Sequence, residues 1–217
     1  MLRSQVGDEQ VSPRVWTNCL DEQQVAASAL LQFEAWFSDA LNSELDDPTA
    51  MVLSTVDSTG RPDSRVVLLK GLDLGSFVFY TNYDSVKACQ IGMNAQGALN
   101  FYWPTLVRQV RVRGDITRTS EACSDAYFAS RPRMSQLGAL ASHQSHVIPN
   151  RAVLEARLRE LELAYQDKPI PRPSTWGGFA LYPHEIEFWQ GRDNRLHDRL
   201  HYKRLDAEHW QITRLAP

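Results

Sequence analysis

Gln109-Val110-Arg111-Val112-Arg113 alternates polar and apolar side chains without a break. Successive side chains on a strand point to opposite faces, so both valines would meet a core while Gln109, Arg111 and Arg113 face the other way. Outward from this stretch, β-branched and aromatic runs recur at 51–56, 65–69, 77–81, 98–103 and 109–117. Turn formers separate them. Asp57-Ser58-Thr59-Gly60 offers a glycine for positive φ, and Gly71 and Gly75 bracket a second turn. Short strands joined by turns predict an antiparallel sheet or barrel with flanking helices, not βαβ units. Strand texture resumes at 179–181 and 185–189, and a last hairpin runs through Asp206-Ala207-Glu208.

Helices flank the strands. Leu30, Phe33, Phe37 and Leu41 recur at helical spacing and predict one apolar stripe. Two more helices are expected at 121–130, with Ser120 as N-cap, and at 149–165, with Leu154, Leu158 and Leu161 on one side. Pro169-Ile170-Pro171-Arg172-Pro173 ends the latter and leads stiffly back to the strands. Residues 1–24 are polar and lack a period, which predicts a flexible tail before a single domain at 25–217.

The 217 residues are 43% hydrophobic and 23% charged, with a net charge of -3, so no overall field calls for nucleic acid. Cys19, Cys89 and Cys123 are widely spaced and read as reduced structural thiols. No apolar run approaches a membrane span and no leader is recognisable at the start, so a soluble cytoplasmic protein is expected.

Several clusters could hold anions. Arg195, His197 and Arg199 would share one face of a strand, whereas Leu196 and Asp198 would take the other. A solvated strand face would look the same. A zinc site at His197 and His201 is not expected, because on a strand the two would stand roughly 13 Å apart. Arg65 and Lys70 close the two ends of an apolar strand and face opposite ways. Tyr80-Thr81-Asn82 followed by Ser85-Val86-Lys87 reads as a strand running into a helix start, where backbone N–H groups, a hydroxyl and an ammonium suit a phosphate. Ser130-Arg131-Pro132-Arg133-Met134-Ser135-Gln136 gathers guanidinium groups and hydroxyls, suited to a phosphate or equally to a solvated loop. His143-Gln144-Ser145-His146 has no acidic partner for triad chemistry, and there is no Gly-x-Ser-x-Gly or Walker-type loop.

In this order and spacing, together with Trp176-Gly177-Gly178-Phe179, Glu187-Phe188-Trp189-Gln190 and the closing Arg214-Leu215-Ala216-Pro217, these pieces resemble the pyridoxamine 5'-phosphate oxidases over 47–217. The resemblance implies an FMN-binding split β-barrel of antiparallel Greek-key type, a homodimer with FMN at its interface and no metal. It implies flavin contacts from Arg65, Val66, Val67, Leu68, Leu69, Lys70, Tyr80, Thr81, Lys87, Gln109, Gln144, Ser145, Trp189 and Arg199. Lys70, Tyr127, Arg131 and Ser135 match the grip on the substrate phosphate. Arg195 and His197 match the pair against the pyridine ring and are the implied catalytic residues.

The implied reaction is oxidation of pyridoxamine 5'-phosphate or pyridoxine 5'-phosphate by O2 to pyridoxal 5'-phosphate, giving H2O2. Two departures stand out. Val86 replaces a family arginine, and the N-terminal Arg-x-x-Tyr cover is not recognisable around Ser12, Arg14, Val15 and Trp16. A flavin oxidase of phenazine biosynthesis and a non-catalytic module binding FMN or pyridoxal phosphate are the rival readings.

Overall fold

β1 (Ala50–Val56) and β2 (Pro62–Leu68) form the first hairpin of the computed structural model, which describes residues 19–217. The Asp57 carboxylate closes it by accepting the N–H groups of Thr59 and Arg61, and Gly60 takes φ 84°. β3 (Gly71–Asp73) pairs with β4 (Ser76–Asn82). β5 (Gln96–Trp103), β6 (Arg108–Arg118) and β7 (Trp176–Gln190) then lie antiparallel, side by side. The first half of β7 pairs back to β4, giving the order β5-β6-β7-β4, a Greek key. Its second half pairs with β8 (Asp198–Arg204), which pairs with β9 (Trp210–Arg214).

The nine-stranded sheet bends where β6 and β7 shift register at Arg113/Gly114. A Cβ on Gly114 would lie 1.9 Å from the Tyr182 carbonyl oxygen, so this close approach requires glycine. The single strand β7 thus replaces the two separate runs at 179–181 and 185–189.

α1 (Ala29–Leu41) covers the concave core, but on a different line from the one its leucines suggest. Ala29, Phe33, Trp36 and Ala40 are buried, whereas Leu41 is 54% exposed. Aromatic packing sets this rotation. Phe33 meets Phe77 edge-on at 4.8 Å and Phe101 at 5.1 Å, and Trp36 meets Phe188 at 5.2 Å. Arg108 caps Trp36 with its guanidinium 4.5 Å from the ring and bonds Asp39 and Gln190, tying α1 to the sheet.

α2 (Val86–Met93) follows β4, and α3 (Glu121–Ser130), α4 (Arg133–Ala141) and α5 (Arg151–Ala164) follow β6. Ser120 and Asn150 accept the N–H groups of Cys123 and Val153 as side-chain caps. α4 resolves the open reading of 130–136. Pro132, fixed at φ -52°, caps a helix there in place of a loop. The last three helices share a second core of Phe128, Leu137, Ala141, Leu161 and Ile170 with Trp176.

Arg195, His197 and Arg199 do not share a strand face. A short 3-10 turn, Asp193–Arg195, puts Asn194 at φ 56° and Arg195 at φ 60°, and β8 begins only at Asp198. Turn-forming Asp193 and Asn194 override the period-two pattern. Of the expected tail, residues 1–18, including Ser12, Arg14, Val15 and Trp16, lie outside the described residues. Leu20 is buried, its N–H bonds Asp198, and its carbonyl accepts from Arg214. Arg214 also pairs with Glu22, whose carboxyl it holds down at about 2. The three cysteines are free and exposed, outside the core. No helix among the described residues is long and apolar enough to cross a membrane.

Phe33→Ala empties the centre of the aromatic cluster and should cost about 3 to 5 kcal/mol. Leu41→Ala, on the exposed side of the same helix, should stay within about 0.5 kcal/mol. Urea unfolding of the two variants checks the assignment of the buried line.

Candidate active site

A cleft of about 510 Å³ opens between β2, β4 and the α3–α4 connection. Its lining includes Val66, Val67, Leu68, Lys70, Tyr80, Thr81, Lys87, Tyr127, Arg131, Ser135 and Gln144, all expected from the sequence. Asn82, Gly138, Ala139, Ser142 and Trp176 complete it. Three of these, Gly138, Ala139 and Ser142, follow the expected Ser135 at helical spacing along α4. Reading α4 as a helix would have found them.

Lys70, Lys87 and Arg131 bring positive charge to the cleft, and no Asp or Glu among the described residues lines it. The Lys87 ammonium donates to three neutral oxygens at 3.2 Å each: Thr81 Oγ1, Ser85 Oγ and Gln144 Oε1. Burial, helped by nearby Arg65, pulls its pKa below the usual lysine value. Ser145, at φ 72°, turns its hydroxyl to the Val86 N–H at the start of α2. At the other end of the cleft Arg131 lies over Trp176, and its Nη1 is buried without a hydrogen-bond partner among the described residues. Burial lowers its pKa as well. An unpartnered buried guanidinium nitrogen is costly unless an anion meets it. The cleft therefore has two cationic poles, one at Lys87 and one at Arg131, and Lys70 also lines it.

Two expected contacts from β2 and the turn after it lie behind this wall. Arg65 donates to Thr55 and Gln90 and pairs with Asp63, and Leu69 is buried in the core.

A second group gathers at the far end of the sheet. Gln109, Trp189 and Arg199 are register partners on β6, β7 and β8, so they form one cross-strand row. Arg199 donates to Glu187 at 2.8 Å and to the Ala216 carbonyl at 2.7 Å. His197 packs on Trp189 at 4.6 Å, and its Nδ1 accepts the Arg192 N–H. The neutral ring then carries its proton on Nε2. Arg195 is exposed on the preceding turn.

Residues 37–165 match the family described as pyridoxamine 5'-phosphate oxidase. Residues 176–217 match the pyridoxine 5'-phosphate oxidase C-terminal dimerisation region. A pyridoxine/pyridoxamine 5'-phosphate oxidase of Legionella pneumophila (strain Paris) is 57% identical over 91% of this chain and 92% of its own. One from Burkholderia mallei (strain SAVP1) is 53% identical over 91% and 93%. Among solved structures, PhzG from Burkholderia lata 383, in complex with tetrahydrophenazine-1-carboxylic acid, superposes with a TM-score of 0.86. It is 29% identical and covers 93% of this chain and 100% of its own. A pyridoxamine 5'-phosphate oxidase-related, FMN binding protein from Nostoc punctiforme PCC 73102 shares the fold, with a TM-score of 0.70 at 20% identity, covering 85% of this chain and 97% of its own. The acid-free cleft thus sits in a chain whose sequence matches extend along nearly its whole length, and this chain belongs to the pyridoxamine 5'-phosphate oxidase family.

Proposed function

We propose that the chain oxidises pyridoxamine 5'-phosphate and pyridoxine 5'-phosphate to pyridoxal 5'-phosphate, with O2 as acceptor. The observation that carries this reading is the pair of cationic poles in a cleft that no carboxylate among the described residues lines. Enzymes of this family use FMN, and the substrate and the cofactor each carry a phosphate. The chemistry of the donors fits both. Lys87, Thr81, Gln144 and Ser145 would hold the FMN phosphate, with Val66, Val67 and Leu68 along the flavin. Lys70, Tyr127, Arg131 and Ser135 would hold the substrate phosphate. Held there, FMN would supply the two-electron acceptor for oxidation at C4', with O2 as the final acceptor and H2O2 as its product. The amine substrate additionally takes up water and loses ammonia, which balances the reaction.

The protein's part is placement. Anchoring the phosphate at Arg131 fixes the distal end of the substrate, so binding energy remote from C4' is spent on orienting the reacting carbon. Arg195 and His197 would orient the pyridine ring, with the His197 Nε2–H as a donor. Trp176 and Trp189 stand near opposite ends of β7, ~40 Å apart along the strand at ~3.3 Å per residue. Gln109, Trp189, Arg195, His197 and Arg199 are therefore assigned to the cleft of a second copy. The match of 176–217 to a dimerisation region supports this arrangement, with FMN at the interface of a homodimer. A cytoplasmic location goes with this reading.

The likeness to PhzG favours a phenazine-type substrate as the second reading. Phosphate dependence separates the two. Without oxygen, pyridoxine 5'-phosphate should bleach the flavin of the purified protein while pyridoxine hardly does so. Equal bleaching by both would sink the phosphate anchor, and no bleaching by either vitamer phosphate would favour the phenazine-type reading.

Val86, where the family carries an arginine, is 48% exposed on the first turn of α2 beside Lys87. A charge-assisted hydrogen bond contributes about 1.5 to 3 kcal/mol. Val86→Arg should therefore tighten FMN binding about tenfold or more in a flavin titration of apoprotein. Unchanged affinity would mean that another group already fills this role.

A further inference from the structure

Burying a cation normally calls for a carboxylate, and this chain follows that rule at its most deeply buried arginine side chains, though not at Arg204, which lies over Trp210. Arg108 pairs with Asp39, and Arg172 with Glu121 and Asp125. Arg131 has no such partner among the described residues. Its guanidinium carbon lies 4.7 Å from the centroid of the Trp176 ring and 5.8 Å from that of Phe128. A carboxylate would occupy the N–H groups that an anionic ligand needs. An aromatic face attracts the cation and uses none of them.

The fold holds the Trp176 ring firmly. Trp176 is 6% exposed and nearly parallel to Tyr80 and Tyr127, at interplanar angles of 11° and 8°. Its carbonyl accepts from Arg172, which also binds Glu121 and Asp125 on α3. Arg131 is the C-cap of that same helix, so one clamp fixes the platform relative to the cation. The next residue, Gly177, cannot carry a Cβ, which would fall 2.1 Å from the Tyr83 hydroxyl.

We propose that Trp176 is a positioning residue for substrate selection: its indole holds the buried Arg131 without consuming its donors, leaving them for a ligand phosphate. The role rests on the reading of the cleft as a vitamer-phosphate site. It goes beyond that reading in assigning phosphate selectivity to an uncharged residue.

The test is a double-mutant cycle on the FMN-loaded protein, with two readouts: the KM for pyridoxine 5'-phosphate, and the Kd for inorganic phosphate by titration calorimetry. Trp176→Leu should raise both about tenfold, and Trp176→Phe about threefold, with kcat changing less than KM. In the Arg131→Met background the same substitutions should change either value by less than twofold. Equal effects with and without Arg131 would overturn the proposal and make Trp176 a packing residue only. If Trp176→Leu fails to retain FMN, Trp176→Phe carries the cycle alone. Absence of turnover in the unsubstituted protein would count against the proposed reaction, whereas the phosphate titration would still decide the role of Trp176.

Discussion

Positive charge gathered in a cleft without a carboxylate partner among the described residues is the constraint around which this molecule is arranged. Lys70, Lys87 and Arg131 line one cleft, and among the described residues no ion pair links any of them to an acid. Asp63, the carboxylate whose field reaches Lys87, is already bound to Arg65. On the far part of the sheet the opposite holds: Arg111 and Arg199 both meet Glu187, and Arg113 meets Glu185. The chain thus neutralises Arg111, Arg113 and Arg199 on the sheet, whereas the cations of the cleft, like Arg204 over Trp210 at the end of β8, have no acidic partner among the described residues.

β7 connects these two regimes. Its first residues pair with β4 and set Trp176 under Arg131, while its last residues pair with β8 and carry Glu187 and Trp189. The bulge at Gly114 bends the strand pair between them. In the proposed function, the cleft at one end grips the phosphates and the row at the other orients the ring. Two copies of the chain would bring the complementary ends together.

The strands were legible because alternation and turn residues act locally. The run at 109–117 falls within β6, and Asp57 and Gly60 make the turn that their chemistry suggests. The buried line of α1 was not, because Trp36 is recruited by Phe188 and Arg108 across a sequence separation that no helical period reveals. α4 was hidden by Pro132, which reads as a loop residue until its place at a helix start is known. In the site, eleven of the expected residues line the cleft, because strand ends and a helix start place them. Arg195 and His197 were expected on a strand, and the left-handed turn at Asn194 puts them on a loop.

The central claim is that one acid-free cleft holds two separate phosphates, one at Lys87 and one at Arg131. Phosphorus NMR of the FMN-loaded protein with pyridoxal 5'-phosphate bound tests it most directly. The account predicts two distinct bound resonances, with Lys87→Met shifting the flavin phosphate alone and Arg131→Met releasing or shifting the vitamer phosphate alone. A single substitution that moves both resonances equally, or neither substitution moving any, would contradict it.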